Sequence, residues 1–200
     1  MDRNLEEFLN TGRAVSPISI VDAVLCVDRD EVREYALKSS NNPISKDNIP
    51  QYSCYDNATY EMLKYLRMAG DFGPSFIEVG EHFLGIGHKE DAYRKYGQNH
   101  SRTAELLGLV IIKKTDKKRV YLSEIGKLIE RLEKEQQYEC FTKLAAKIPV
   151  IREAIRQDIN TARDLEVFLN NYLSPITAIR RRKNTWDLIE KLRGSWRNGV

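Results

Sequence analysis

The stretch from Gln98 to Leu132, QNHSRTAELLGLVIIKKTDKKRVYLSEIGKLIERL, leaves the chain few folds to choose from. Ala104, Leu106 and Leu107 give its first part an apolar side, and either Asn99 or Ser101 is placed to cap a helix there, because a short side-chain oxygen accepts from an otherwise unpaired backbone N–H. Gly108 suits the end of that helix, where positive φ is easiest for glycine. Leu109 to Lys113 then favours a strand, Thr115 to Lys118 a polar turn, and Arg119 to Leu122 a returning strand. From Ser123 to Leu132 the apolar residues Ile125, Leu128, Ile129 and Leu132 fall at helical spacing.

Two more helical patterns lead into this stretch. Asn57 is placed to cap a helix running to about Met68, with Leu63, Leu66 and Met68 apolar, and Gly70, Gly73 and Pro74 end it. Ser75 opens the next, through Phe76, Val79 and Phe83, and Glu78 three residues on completes a capping box. Gly85 and Gly87 stand near its end. The charged run Lys89 to Lys95 is either a further short helix or a lengthened turn. Three helices, a two-stranded ribbon and another helix match a winged helix-turn-helix. In such a unit the helix before the ribbon enters a DNA major groove and the ribbon tip touches backbone.

Toward the N-terminus, Leu5, Phe8 and Leu9 mark a short docking helix, broken by Gly12 and Pro17. Ile18 to Ala36 forms one helix or two short ones separated near Asp28. Residues 38 to 54, rich in Ser, Asn and Pro, read as a connector. Beyond the ribbon, Glu133 to Tyr138 is polar with helical propensity and is expected to carry the preceding helix into a linker. Phe141 to Ile148, Val150 to Ile159 and Thr161 to Leu169 are short helices. Pro149 suits the first turn of the second, and Thr161 caps the third, with Asp164 adding favourable charge. After a break at Asn170 to Tyr172, a second helix-turn-helix fits: 161 to 169 supports, Pro175 to Lys183 recognises, Thr185 to Leu192 braces, and Gly194 ends the pattern. The expected fold class is mainly α, a winged helix-turn-helix with a small β-ribbon followed by a second helical helix-turn-helix unit. Its segments are an N-terminal extension and connector over 1–56, a winged-helix domain over 57–137 and a second helix-turn-helix domain over 138–200.

The formal net charge is only +3, so attraction for a polyanion must rest on local clusters. Lys113, Lys114, Lys117, Lys118 and Arg119 crowd the ribbon tip, an arrangement that fits phosphate contact, with Asp116 shaping the turn. A plain soluble hairpin turn is the bland alternative. His100, Arg102 and Thr103 are the polar side chains of the preceding helix best placed to reach base edges. Arg180, Arg181, Arg182 and Lys183 form the second cluster, on a helix whose start also presents Ser174 and Thr177. Arg180 and Lys183 share a side. With Lys191, Arg193 and Arg197, residues 174–200 hold seven basic side chains against two acidic ones. A solvated helix face, or pairing with a partner's acidic surface, is the alternative there.

Other chemistries find little support. Cys26, Cys54 and Cys140 are an odd number without CxxC spacing, which argues against a disulfide framework or zinc site and for a reducing, cytoplasmic location. No apolar run approaches the roughly 20 residues that span a bilayer, and MDRNLEEFLN lacks the order of a signal peptide. His82, His88 and His100 lie near Glu78, Glu81, Glu90 and Asp91 but match no HExxH pattern, and GxSxG, Walker and GxGxxG motifs are missing. No metal or cofactor is expected. A nuclease centre needs paired acids around a divalent ion, and Asp116 beside Lys117 and Lys118 has no matching upstream acid. Catalysis is therefore not expected of this chain. Trp186 and Trp196 offer stacking surfaces, but Trp186 sits in an apolar pattern with Ile179, Leu188 and Ile189, which favours core packing.

Two motifs resemble the DNA-recognition modules of bacterial type II restriction endonucleases. In ITAIRRRKNTWDLIEKL, Arg181, Arg182, Thr185 and Trp186 match an RRxxT run followed by a tryptophan-containing helix, and IPVIREAIRQDINTARDLEVFL resembles the helical lead-in of those modules. LLGLV followed by YLSEIGKLI is similar to the wing and last helix of their first winged helix, with Ser123 where threonine is usual. The resemblance covers about residues 57–193. It implies recognition of double-stranded DNA in a restriction–modification system, with a PD-(D/E)xK nuclease supplied by a separate domain or subunit. The competing readings are a small metal-dependent endonuclease, a winged-helix transcriptional regulator and a protein-interaction adaptor.

Overall fold

Six helices among the described residues start where a short polar side chain, Asp2, Ser16, Asp28, Ser75, Ser123 or Thr161, accepts from an amide of the first turn. The computed structural model describes residues 1–39, 43–51, 57–114 and 117–194. Cys54, Thr115, Asp116, Trp196, Arg197 and the Asn57 side chain lie outside them. α1 (Arg3–Thr11) is capped by Asp2 and closed by Gly12, at φ 73°. α2 (Pro17–Cys26) has Ser16 as cap and a proline in its first turn. Asp28 caps α3 (Arg29–Lys38), so the 18–36 pattern resolves into two helices. A short 3-10 turn, Lys46–Asn48, interrupts the connector. α4 (Asn57–Ala69) follows, then α5 (Phe76–Leu84), whose capping box forms as expected: the Ser75 amide donates to Glu78 Oε2 at 2.7 Å and the Glu78 amide to Ser75 Oγ at 3.3 Å. α6 (Glu90–Leu106) leads into strands β1 (Val110–Lys114) and β2 (Lys118–Leu122). α7 (Glu124–Ile129), α8 (Lys134–Leu144), α9 (Pro149–Arg156), α10 (Ala162–Leu169) and α11 (Pro175–Arg193) complete the order. The protein is mainly helical with one small two-stranded antiparallel sheet.

Three expectations are corrected. Neither Asn99 nor Ser101 caps a helix, because α6 begins at Glu90 and both lie well inside it. The charged run 89–95 is its first turns. The Ser101 hydroxyl instead donates back to the Gly97 carbonyl at 2.7 Å, a bond that lets a small polar residue sit within a helix. Glu133 to Tyr138 is no linker. α7 stops at Ile129, Glu133 becomes the N-cap of α8, and the buried Gln137 amide closes the corner by donating to the carbonyls of Glu130 (3.0 Å) and Leu132 (2.9 Å). Finally, Pro175–Arg193 is one continuous helix, so 175–183 and 185–192 do not form separate recognising and bracing helices. Asn184 does not break it, and its side-chain Nδ2 donates outside the helix to the Gln51 carbonyl.

The apolar core is a single cluster running from Leu5 to Leu192. α2 lies against α7 and α8, while α3 lies against α9 and α11, so the N-terminal helices share this core with both later segments. Interior cations fasten the layers. α2 and α6 carry no basic residue in their last turns, yet a helix C-terminus leaves carbonyls unpaired and partly negative. Lys143, 5% exposed, donates to the Val24 carbonyl at 2.9 Å. Lys147 donates to the Leu106 carbonyl at 3.2 Å, and burial lowers its pKa from the usual lysine value. Arg152, 2% exposed, reaches Asn10 Oδ1 at 2.9 Å. The end of α6 is thus clamped from the C-terminal half of the chain. No helix among the described residues is long and apolar enough to cross a membrane.

Candidate nucleic-acid interface

α5 and α6 cross at backbone contact. A Cβ at Gly97 would stand 1.9 Å from the Phe76 carbonyl oxygen, and one at Gly80 2.0 Å from that of Tyr93. Only glycine at both positions permits this approach. The crossing fixes which side of α6 turns inward: Tyr93, Gly97, His100, Ser101, Thr103 and Ala104 are buried. His100 lies between the rings of Phe83 (4.9 Å, stacked) and Tyr96 (4.6 Å), and burial lowers its pKa to about 4. The Thr103 hydroxyl, 2% exposed, donates to the Asn99 carbonyl at 3.1 Å. His100 and Thr103, expected to reach base edges, therefore face the interior.

The outer side of α6 carries Arg94, Lys95, Gln98, Asn99, Arg102 and Glu105. Arg94, Gln98 and Arg102 recur every four residues, so they line one face, with Lys95 and Asn99 beside them. Arg94 pairs with Asp91, and Arg102 with Glu105 at 2.6 Å. Both pairs are one turn apart at the surface, where such ion pairs contribute little and exchange readily for an anionic ligand. Only Arg102 of this set was anticipated. The signal that locates the others is the acidic first turn Glu90–Asp91 together with the inward spacing of Tyr93, Gly97, His100 and Ala104.

Gly108, at φ 81°, turns the chain from α6 directly into the ribbon. Lys113 pairs with Arg119 and Ile111 with Tyr121, so these four share one face, while Val110 and Val120 on the other are buried. Lys113 Nζ sits 4.9 Å from the Tyr121 ring centre. Arg119 donates to the Gly73 carbonyl at 2.9 Å and forms an isolated bridge with Ser75, and the Val120 amide donates to the Pro74 carbonyl at 2.9 Å. Arg119 thus holds the 72–75 segment against the ribbon and is not a free phosphate contact. Lys113, Lys114, Lys117 and Lys118 are exposed. Ser123 fastens the ribbon base: its hydroxyl donates to the Gly108 carbonyl at 2.7 Å and accepts from the Gly126 amide at 2.9 Å.

The second cluster is divided. Arg181 donates to the carbonyls of Lys46 and Ile49 (3.0 Å to the latter), and desolvation lowers its pKa. Arg182 pairs with Glu166 of α10. The Ser174 and Thr177 hydroxyls bond each other at 2.9 Å. Of the four cations only Arg180 and Lys183 are exposed, Arg181 and Arg182 being half-buried. Trp186 packs against the core with the Arg193 guanidinium 6.0 Å from its ring centre. His82 stacks on Tyr65 at 4.1 Å and His88 meets Tyr93 edge-on. Among the described residues no group of three or more His, Cys, Asp or Glu could hold a metal ion.

No family model, curated protein or solved structure matches this chain.

Proposed function

We propose that the chain binds double-stranded DNA through a winged helix-turn-helix unit over residues 57–137, with α6 in the major groove and the ribbon lysines on phosphates. The observation that carries this is the glycine-mediated crossing of α5 and α6, which buries one side of α6 and leaves Arg94, Lys95, Gln98 and Arg102 outward, immediately before a lysine-tipped ribbon. Arginine suits guanine edges and glutamine suits adenine, so the face has the chemistry of base reading. The Ser75–Arg119 bridge adds a short third edge to the ribbon, as in a winged helix. α2 packs on α7 of this unit, and Lys147 reaches the end of α6. The resemblance to restriction-endonuclease recognition modules supports a recognition domain or subunit acting with a separate nuclease. Within this chain Glu78 is held below the usual carboxylate range by the Ser75 amide and hydroxyl, serving as a cap and not as a metal-binding acid.

The test is fluorescence anisotropy with a 24-base-pair duplex at 50 and 200 mM salt. Roughly four to six phosphate contacts predict an affinity loss of roughly 10²–10³-fold over that range. Salt-insensitive binding, or none at low salt, would sink the proposal. Incubation with plasmid and magnesium is expected to leave the DNA uncut.

A further inference from the structure

Four of the eleven large apolar side chains exposed among the described residues fall between 167 and 179: Val167 (65%), Tyr172 (36%), Ile176 (66%) and Ile179 (51%). They belong to α10, α11 and the turn joining them. Ile176, Ile179, Arg180 and Lys183 lie at helical spacing i, i+3, i+4 and i+7, so they form one stripe on α11 over roughly 10 Å. Val167 and Arg163 are one turn apart on α10, beside the Arg182–Glu166 ion pair that links the two helices. The α11 stripe is therefore an apolar ridge at Ile176 and Ile179 with a basic edge at Arg180 and Lys183, and the adjoining α10 exposes Val167 and Arg163. Of the nearby acids, Glu166 is taken by Arg182, Asp164 accepts from the Thr161 hydroxyl at 2.6 Å and keeps its charge, and Asp187 follows Lys183 by one turn, so three cations stand against two carboxylates.

We propose that this α10–α11 face docks an acidic amphipathic helix from a partner protein. This goes beyond DNA binding by α6 and assigns the second basic cluster a different role. A DNA-reading helix needs donors and acceptors where α11 presents Ile176 and Ile179, and two of the cluster's arginines are turned to the chain's own carbonyls and Glu166. A second copy of this chain would bring the same three cations against one another. An apolar stripe flanked by Glu or Asp satisfies the ridge and its basic edge together.

The test is selection from a displayed library of 18-residue helices with leucine fixed at i, i+3, i+4 and i+7 and the remaining positions drawn from Glu, Lys, Gln and Ala. Selected peptides are synthesised and titrated by anisotropy against the full chain. The expected winners are net acidic and lose at least about tenfold in affinity against Ile176→Ser/Ile179→Ser and likewise against Arg180→Glu/Lys183→Glu, while the isoleucine variant keeps its duplex affinity. Neutral or basic winners, or affinities indifferent to both variants, overturn the proposal. So does a concentration-dependent dimer of the wild-type chain that either variant abolishes, which would make the occupant a second copy. Loss of duplex binding in the isoleucine variant would return this face to DNA. A chain that fails to bind duplex yet takes acidic helices this way would refute only the DNA reading.

Discussion

Replacing His100 by phenylalanine tests whether this histidine belongs to the packing between α5 and α6 or to the surface. It is 7% exposed, stacked on Phe83, and burial lowers its pKa from the usual 6.5 to about 4. Between those values the unfolded chain binds a proton that the folded chain refuses. The stability supplied by the neutral imidazole is therefore fully present above pH 6.5 and is lost as pH falls toward 4. At about 1.4 kcal/mol per pH unit, the loss reaches about 2 kcal/mol at pH 5 and about 3 kcal/mol at pH 4. Glu78 and Glu139 have lowered pKa values, Glu139 chiefly through its bond from Arg29, and their contributions fade only below the usual carboxylate value of 4.5. The comparison of pH 7 with pH 5 thus isolates the histidine. Urea denaturation at the two pH values should show the wild type losing about 2 kcal/mol more than His100→Phe. Equal losses would refute the buried placement, as would a His100 imidazole resonance titrating at 6.5 or above.

Three further outcomes follow from the same geometry. Gly97→Ala places a methyl 1.9 Å from the Phe76 carbonyl and should cost about 3 kcal/mol or prevent folding, since overpacking here meets backbone; an unchanged urea midpoint would mean the helices do not cross as closely. Lys117→Gln with Lys118→Gln should weaken binding to all duplexes alike and reduce the salt slope by about two; a loss confined to one sequence would make the ribbon a base reader. In a Cys54→Ser background, exposed Cys26 should react rapidly with a thiol reagent while buried Cys140, its thiol pushed up to about 12, reacts only on unfolding; two fast thiols would contradict the core around α8.

Local signals carried much of the fold. The Ser75–Glu78 box, the Thr161 cap, Pro149 in a first turn and Gly108 beyond α6 each depend on contacts within a few residues, and each forms where the sequence places it. The two strands also form within a residue of where the sequence places them, and the structure adds their register, with Val110 and Val120 inward. α6 was harder to read because its inward side is partly polar. Ser101 and Thr103 satisfy their hydroxyls on carbonyls four residues back, and His100 is accommodated by neighbouring rings. Such residues look like caps or ligands until the crossing helix is known. Gly97 is ill suited to a helix interior and is required there only by α5, a tertiary cause invisible in the chain itself. The fates of Arg181 and Arg182 likewise depend on carbonyls near residue 48 and on Glu166, so the four-residue basic run overstated what reaches solvent.

The most direct test of the central claim is selection of bound sequences from a randomised duplex pool, performed with the wild type and with Gln98→Ala/Arg102→Ala. If the outer face of α6 reads the major groove, the wild type enriches a short motif and the variant loses discrimination at the positions those two side chains contact, each worth about 1–3 kcal/mol. An identical motif from both proteins, or no enrichment by the wild type, would contradict the account.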